Sequence, residues 1–223
     1  MWQVFTQLLE HNTAHAERFQ SRFDDVQEAQ HPAAVTVCCA DSRVLQDHMW
    51  ENDDPGRLFT CSNIGNRVVQ RTDAGEVVSG DVLYPLVHTG TALAVVVGHT
   101  GCGAITAAYD DLTDGVSEPA RIAHCLDLID PGLEPGFDSL PAHVDRPEAV
   151  NLLVEYNVDQ QVERLLTSED VPDGVTVVGV VYDFQDVYSG RRGEVSVVNV
   201  EGERSVAELE ARHPEIADRV ERL

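Results

Sequence analysis

Residues 91–103 read TALAVVVGHTGCG. A valine-rich apolar run, residues 92–97, meets a turn that carries three glycines, a histidine and a cysteine. The run is far too short to cross a membrane and suits a strand buried on both faces. The glycines mark a tight turn, after which the chain reads as a helix. A buried strand followed by a turn and a helix is half of a parallel βαβ unit, so this stretch decides the fold class.

The pattern recurs outward from it. Residues 33–38 and 175–182 (VTVVGVVY) are short apolar runs suited to buried strands, and residues 57–62 (RLFTCS) form a weaker one. Residues 77–88 predict a helix that Pro85 bends or ends. Residues 110–147 predict an excursion with one short helix near 120–129, and residues 148–166 a long helix. Residues 194–200 predict an edge strand, and residues 205–222 a final helix. At the start, Trp2, Phe5, Leu8, Leu9, Phe19 and Phe23 recur at helical spacing and predict an amphipathic arm that needs a cover, such as a second subunit. The expected fold is α/β: a mostly parallel, Rossmann-like central sheet with helices on both faces and an N-terminal helical arm. One domain is expected over 1–223, with the arm at 1–29, the core at 30–190, and an edge strand and helix at 191–223.

In such sheets ligands bind where strands end. Two strand ends stand out, CCADSR at 38–43 and GHTGCG at 98–103. His99 and Cys102 lie three apart in a turn loose enough for backbone to wrap an ion. With a cysteine from 38 or 39 they would offer two thiolates and one imidazole, a set that suits zinc and leaves a fourth position free. Read singly, Asp41 or Ser42 could cap a following helix, the cysteines could be small core residues, and His99 could be a structural hydrogen-bonder. Read together, at the ends of central strands, they point to a metal. The Cys-to-Arg43 spacing is too short for a thiol-phosphatase cradle, and the glycines do not form a dinucleotide fingerprint.

CADSRV and, sixty residues on, HTGCGA resemble the two signature segments of the β-class carbonic anhydrases, C-x-D-S-R and H-x-x-C. The likeness extends over about residues 30–190. Gln30 stands nine residues before Cys39. Phe59 and NIGN at 63–66 fall at the family's R-N-x-x-N segment, Tyr84 at a pocket tyrosine, and residues 157–166 and GVVYD at 179–183 at later segments. The resemblance implies one zinc per subunit on Cys39, His99 and Cys102, and reversible hydration of carbon dioxide to bicarbonate by zinc-activated hydroxide. It implies that Asp41 either blocks the fourth zinc position or, clamped by Arg43, accepts a hydrogen bond from the hydroxide. Gln30 would donate to a substrate oxygen. Phe59, Ile64 and Tyr84 would wall the pocket, core packing being the other reading of the first two. Gly103 would lie against substrate or let the chain enter its helix closely. Cys38, Cys61 and Cys125 are bystanders, and Ser42 caps a helix. His48, His88 and Tyr84 are candidates for moving the proton. Ser62 replaces the family's arginine, which in some members supports an inhibitory bicarbonate site. Family members are homodimers or dimers of dimers. Alternatives on the same metal are hydrolysis of carbonyl sulfide or carbon disulfide, and a zinc-stapled interaction module.

Five cysteines and a start without a basic-then-apolar leader predict a reducing cytoplasm and free thiols. The formal net charge is -24, all 15 basic residues are arginine, and the acids are spread along the chain. Neither nucleic acid nor an anionic membrane surface would find a basic patch. A distributed acidic surface without lysine resembles proteins of extreme halophiles. Self-repulsion destabilises such a chain at low salt, whereas at molar salt the Debye length is about 3 Å and the repulsion is screened. Circular dichroism should therefore show folded protein in molar potassium chloride and loss of structure on dialysis into dilute buffer. Full stability without salt would contradict this reading.

Overall fold

The computed structural model describes residues 1–116 and 118–223. The chain opens with helix α1 (Trp2–Phe19) and a 3-10 turn, then enters strand β1 (Ala34–Cys39). Strand β2 (Leu58–Asn63) follows, then a small antiparallel hairpin of β3 (Val69–Thr72) and β4 (Gly75–Val78), and helix α2 (Gly80–His88). Strand β5 (Leu93–His99) leads to helices α3 (Gly103–Asp114), α4 (Ala120–Leu126), α5 (Asp130–Asp138) and α6 (Arg146–Leu166). Strands β6 (Thr176–Asp183) and β7 (Glu194–Val200) and the short helix α7 (Val206–Arg212) complete the elements.

The five-stranded sheet runs β2-β1-β5-β6-β7. The first four strands are parallel, and β7 is an antiparallel edge. Strands β1, β5 and β6 are interior, and β1, covered on both faces, is buried at every position; its sequence, AVTVCC, is nearly all apolar. From β1 the chain moves outward to β2, then crosses to β5 on the other side. The reversal opens a crevice between the carboxyl ends of β1 and β5. The register pairs Cys38 with Val97, which brings Cys39 level with the glycine turn after β5.

Long helix α6 covers one face of the sheet. Asp145 caps it by accepting the Glu148 N–H at 3.0 Å, and Pro147 sits in its first turn. Its seat is made by two glycines: a Cβ at Gly98 would lie 2.6 Å from Val158 Cγ2, and one at Gly179 would lie 2.6 Å from Val158 Cγ1. Val158 is fully buried there. The acids of α6 that point inward are paired. Tyr188 Oη donates to Glu155 at 2.6 Å, and Arg222 donates to Asp159 at 2.9 Å. The second face is covered less fully, by α7 and the 3-10 turns at His48–Trp50 and Ala217–Arg219. A cavity of about 620 Å³ remains there, lined by Trp50, Val95, Val178, Val180, Val197 and Ile216 among others.

Several expectations are corrected. Residues 77–88 are not one helix: Val77 and Val78 end β4, and α2 starts at Gly80, where the Ser79 hydroxyl accepts the Asp81 N–H. Pro85 lies inside that helix without ending it. The excursion holds a second helix, α5, because burial of Leu133 outweighs its two prolines. The final helix stops at Arg212, before Pro214, which cannot continue it.

Gly98→Ala and Gly179→Ala should each cost about 1–3 kcal/mol through overpacking against Val158, read as a lowered urea midpoint in molar salt. Adding Val158→Ala to Gly98→Ala should recover part of that loss, because the two side chains compete for one space.

Candidate metal centre and active site

Cys39, His99 and Cys102 converge in the crevice, with their ligand atoms all within 4.8 Å of one another. The two Sγ atoms are 3.9 Å apart. Period-2 alternation settles which of the paired cysteines takes part. Cys39 shares its sheet face with Cys102, whereas Cys38 packs with Val97 and Leu209 on the opposite face. Burial there pushes the Cys38 thiol up to about 12, and burial pushes Cys61 to about 11, so both stay protonated and inert.

The cluster is electrostatically prepared for metal. A hydrogen bond from Cys102 draws Cys39 down to about 4, burial opposes this, and the Gly65 N–H assists. Cys102 is correspondingly pushed well up by sharing a proton with Cys39 and by burial, while the Ala104 and Ile105 N–H groups at the start of α3 pull the other way. His99 Nδ1 lies 3.0 Å from the Thr100 carbonyl, which can only accept, so Nδ1 carries the proton and Nε2 presents a lone pair. That Nε2 is buried with no hydrogen-bond partner among the described residues. An orphaned imidazole nitrogen facing two thiols is what a soft or borderline cation such as zinc would satisfy.

Asp41 stands beside this trio, its Oδ2 3.9 Å from His99 Nε2. Arg43 grips it with a fork, Nε to Oδ1 at 2.9 Å and Nη2 to Oδ2 at 2.6 Å. The Arg43 backbone N–H also donates to Oδ1 at 2.9 Å. These bonds hold the Asp41 carboxyl well below the ordinary carboxylate range, against the effect of burial. No helix starts here, so Ser42 is not a helix cap; Asp41 instead closes a turn on Arg43 and Val44.

The supporting parts come from distant segments. Asn151 on α6 accepts the Gly101 N–H at 2.8 Å, and Asn157 donates to the Gly65 carbonyl at 3.2 Å. Asn63 bonds twice with Arg67 and fixes the loop that aims Gly65 at Cys39. Gly101 has φ +59°, a left-handed backbone conformation that favours glycine, and a Cβ there would displace the Gln185 amide. Thr100 donates to Asp183 at 3.2 Å, and Asp183 accepts four successive backbone N–H groups, residues 185–188. Asn151 carries no signal that singles it out by sequence spacing; Thr100 falls within the HTGCGA segment and Asp183 within GVVYD, but neither at a position that the resemblance marks.

The expected pocket residues divide. Phe59 and Tyr84 are neighbours, ring centroids 6.1 Å apart, and Tyr84 contacts His88 at 5.0 Å. Tyr84 and Ile64 are exposed at 49% and 38%, so neither is plain core, whereas Phe59 packs partly on the main core. Gln30 is exposed in the segment before β1, with no side-chain hydrogen bond among the described residues. His48 lines a separate cavity with His15, Phe19 and Asp47. Gly103 is not needed for close entry into α3, since a Cβ there would meet nothing within 4 Å. Ser62 accepts a hydrogen bond from Gln46 at 2.7 Å.

The carbonic anhydrase family model matches residues 34–191. A carbonic anhydrase of Pseudomonas aeruginosa is 28% identical over 200 residues, covering 87% of this chain and 84% of its own. One from Helicobacter pylori is 27% identical over 134 residues, and the match spans 59% of its length and 58% of this chain. Among solved structures, a Coccomyxa β-carbonic anhydrase in complex with acetazolamide superposes with TM-score 0.69 at 20% identity, covering 98% of this chain and 97% of that one. A structure of tetrameric β-carbonic anhydrases from Sordaria macrospora gives 0.72 at 23% identity, covering 88% and 98%. At these identities the superpositions show a shared fold.

Elemental analysis of chelator-washed, metal-reloaded protein should find one metal ion per chain in the wild type and in Cys38→Ser. It should find a loss of at least tenfold in metal retention in Cys39→Ser and Cys102→Ser. Equal loss in Cys38→Ser would refute the assignment by sheet face.

Proposed function

The chain belongs to the carbonic anhydrase family, β class, and from that premise we propose that it is a zinc enzyme converting carbon dioxide and water to bicarbonate and a proton. The observation that carries the reading is the buried, orphaned Nε2 of His99 facing two thiols, with a clamped carboxylate 3.9 Å away. Cys39, His99 and Cys102 would hold the ion. Zinc there would supply Lewis acidity, lowering the pKa of a water to about 7.

Asp41 is kept ionised by the Arg43 fork, so it accepts a hydrogen bond from the attacking oxygen and turns a lone pair of that oxygen toward carbon. Arg43 also donates to the Gly101 carbonyl at 3.2 Å, which ties the clamp to the loop between His99 and Cys102. Were the fork released, Asp41 Oδ2 would be free to swing toward the ion's open position and exclude water. Phe59, Ile64 and Tyr84 offer the apolar surface that suits an uncharged linear substrate, and Gln30 supplies an amide donor to it. Ser62, bonded to Gln46, stands where the family's arginine would support an inhibitory bicarbonate, so that form of regulation is not expected here.

The assembly follows from exposed surface. Trp2, Phe5, Leu8 and Leu9 of α1 are 50–77% exposed, a cost that a partner would relieve. The apolar cavity on the second sheet face is a surface of matching character, which supports a homodimer, or a dimer of dimers as in the tetrameric Sordaria proteins. No described helix is long and apolar enough to cross a membrane.

Stopped-flow hydration of carbon dioxide in molar salt, between pH 7 and 9, tests the reading. Zinc-loaded protein should exceed the buffer rate by several orders of magnitude. Arg43→Lys keeps the charge but loses the fork, and should lower kcat at least 100-fold with zinc retained. No rate above buffer at any pH would sink the proposal, and near wild-type turnover in Arg43→Lys would remove the clamp from it.

A further inference from the structure

Phe184 has one ring that meets both halves of the site. It stacks on the His99 imidazole, with centroids 5.7 Å apart and planes 25° apart. The Arg43 guanidinium carbon sits 4.6 Å from the same ring's centroid. The Arg43 side chain is 49% exposed, so general packing does not fix it. Phe184 is partly buried, packed on the second core cluster and against Tyr182 at 6.2 Å between centroids, and its backbone is held as well. Its N–H donates to Thr100 Oγ1 at 3.3 Å, and Thr100 lies between His99 and Gly101. The preceding Asp183 is held by four N–H donors from the loop that follows it.

Three constraints act on the guanidinium: the Asp41 fork, the Gly101 carbonyl, and the Phe184 face. The first moves with Asp41, and the second accepts one bond from one edge. The aromatic face adds a restraint independent of Asp41 and the Gly101 loop edge: it covers one side of the guanidinium and attracts its charge through the ring quadrupole. Without it, rotation about the arginine side chain would break the fork while leaving the charge nearby.

We propose that Phe184 is a positioning residue that holds Arg43 in the plane of its fork on Asp41, and so biases Asp41 away from the ion's open position. This rests on the reading of Asp41 and Arg43 as the catalytic pair. The ring touches no reacting atom. It acts through Arg43, and its contact with His99 ties the clamp to a proposed metal ligand.

The test grades the electron density of the ring at nearly constant shape. Phe184 is replaced by 4-fluoro- and 3,4,5-trifluorophenylalanine, and separately by Leu and Tyr. Two quantities are read: solvent exchange of the Arg43 Nε–H by 15N NMR, in metal-free and zinc-loaded protein, and kcat and KM for hydration. Exchange should rise in order of fluorination, reaching roughly 3- to 10-fold in the trifluoro and Leu forms. The rate constant kcat should fall by a similar factor with KM unchanged, and Tyr should match the wild type. Exchange that ignores fluorination, or a Tyr variant as impaired as Leu, would overturn the proposal. Because fluorination preserves shape, a Leu variant that fails to fold leaves the graded series to decide. Exchange is read on Arg43 itself, so a wild type without hydration activity would reject the proposed reaction while exchange still judges the role of the ring.

Discussion

Everything at the crevice depends on how closely α6 lies on β5 and β6. That approach exists because Gly98 and Gly179 have no side chain, and Val158 fills the space both leave. The contact is apolar and non-directional, but it sets a height from which directional bonds then work. From that height Asn151 reaches the Gly101 N–H and Asn157 reaches the Gly65 carbonyl. One bond fixes the loop between His99 and Cys102, and the other fixes the loop that aims an N–H at Cys39. A shift of an ångström would turn these amides, buried or partly buried, into unpaired polar groups, each costing up to about 1–3 kcal/mol. Close packing and polar satisfaction therefore enforce one another, and both ends of the cluster hang from a single helix.

The electrostatics follow the same economy of elements. Two thiols buried within 4 Å of each other cannot both ionise without compensating positive charge. Partial charge comes from the Ala104 and Ile105 N–H groups at the start of α3 and from the Gly65 N–H. Full charge comes from Arg43, whose fork is committed to Asp41. The carboxylate is thereby held ionised beside the pair of sulfurs; with both sulfurs ionised, the three negative groups would repel one another unless a cation lay among them. This is a physical argument for metal at the site, apart from any resemblance.

The strand runs at 33–38, 91–98 and 175–182 were legible because central parallel strands are buried on both faces and must be apolar throughout. The convergence of Cys39, His99 and Cys102 was legible because these residues sit at the ends of those strands, where topology brings them together. What the sequence concealed has specific causes. The β3–β4 hairpin is polar and exposed, and Val77, Val78 and Val82 happen to fall at a helical period. Helix α5 contains Pro131, Pro135 and two glycines, and it exists because Leu133 is buried against the core. Phe184 is one aromatic in a loop. Its significance comes from contacts with His99 and Arg43, which are 85 and 141 positions away in the chain, and no local pattern can show that.

The doubled cysteine shows how far local pattern does reach. A strand's side chains alternate between faces, so two adjacent cysteines can never share one site. Cys39 points to the face that α3 and α6 close, where the helix start offers N–H groups. Cys38 points to the face where Val97, Val180 and Leu209 gather, and where the cost of burying a thiolate far outweighs the help of the Thr36 hydroxyl. A one-residue slip of β1 against β5 would exchange them, sending Cys39 into the apolar layer and turning Cys38 to the crevice side, one residue short of the strand end. The register that pairs Cys38 with Val97 is held by complete burial of β1, since every slipped register would expose apolar groups or bury Asp41. The hydrophobic pattern of one strand is thus what decides which sulfur faces His99.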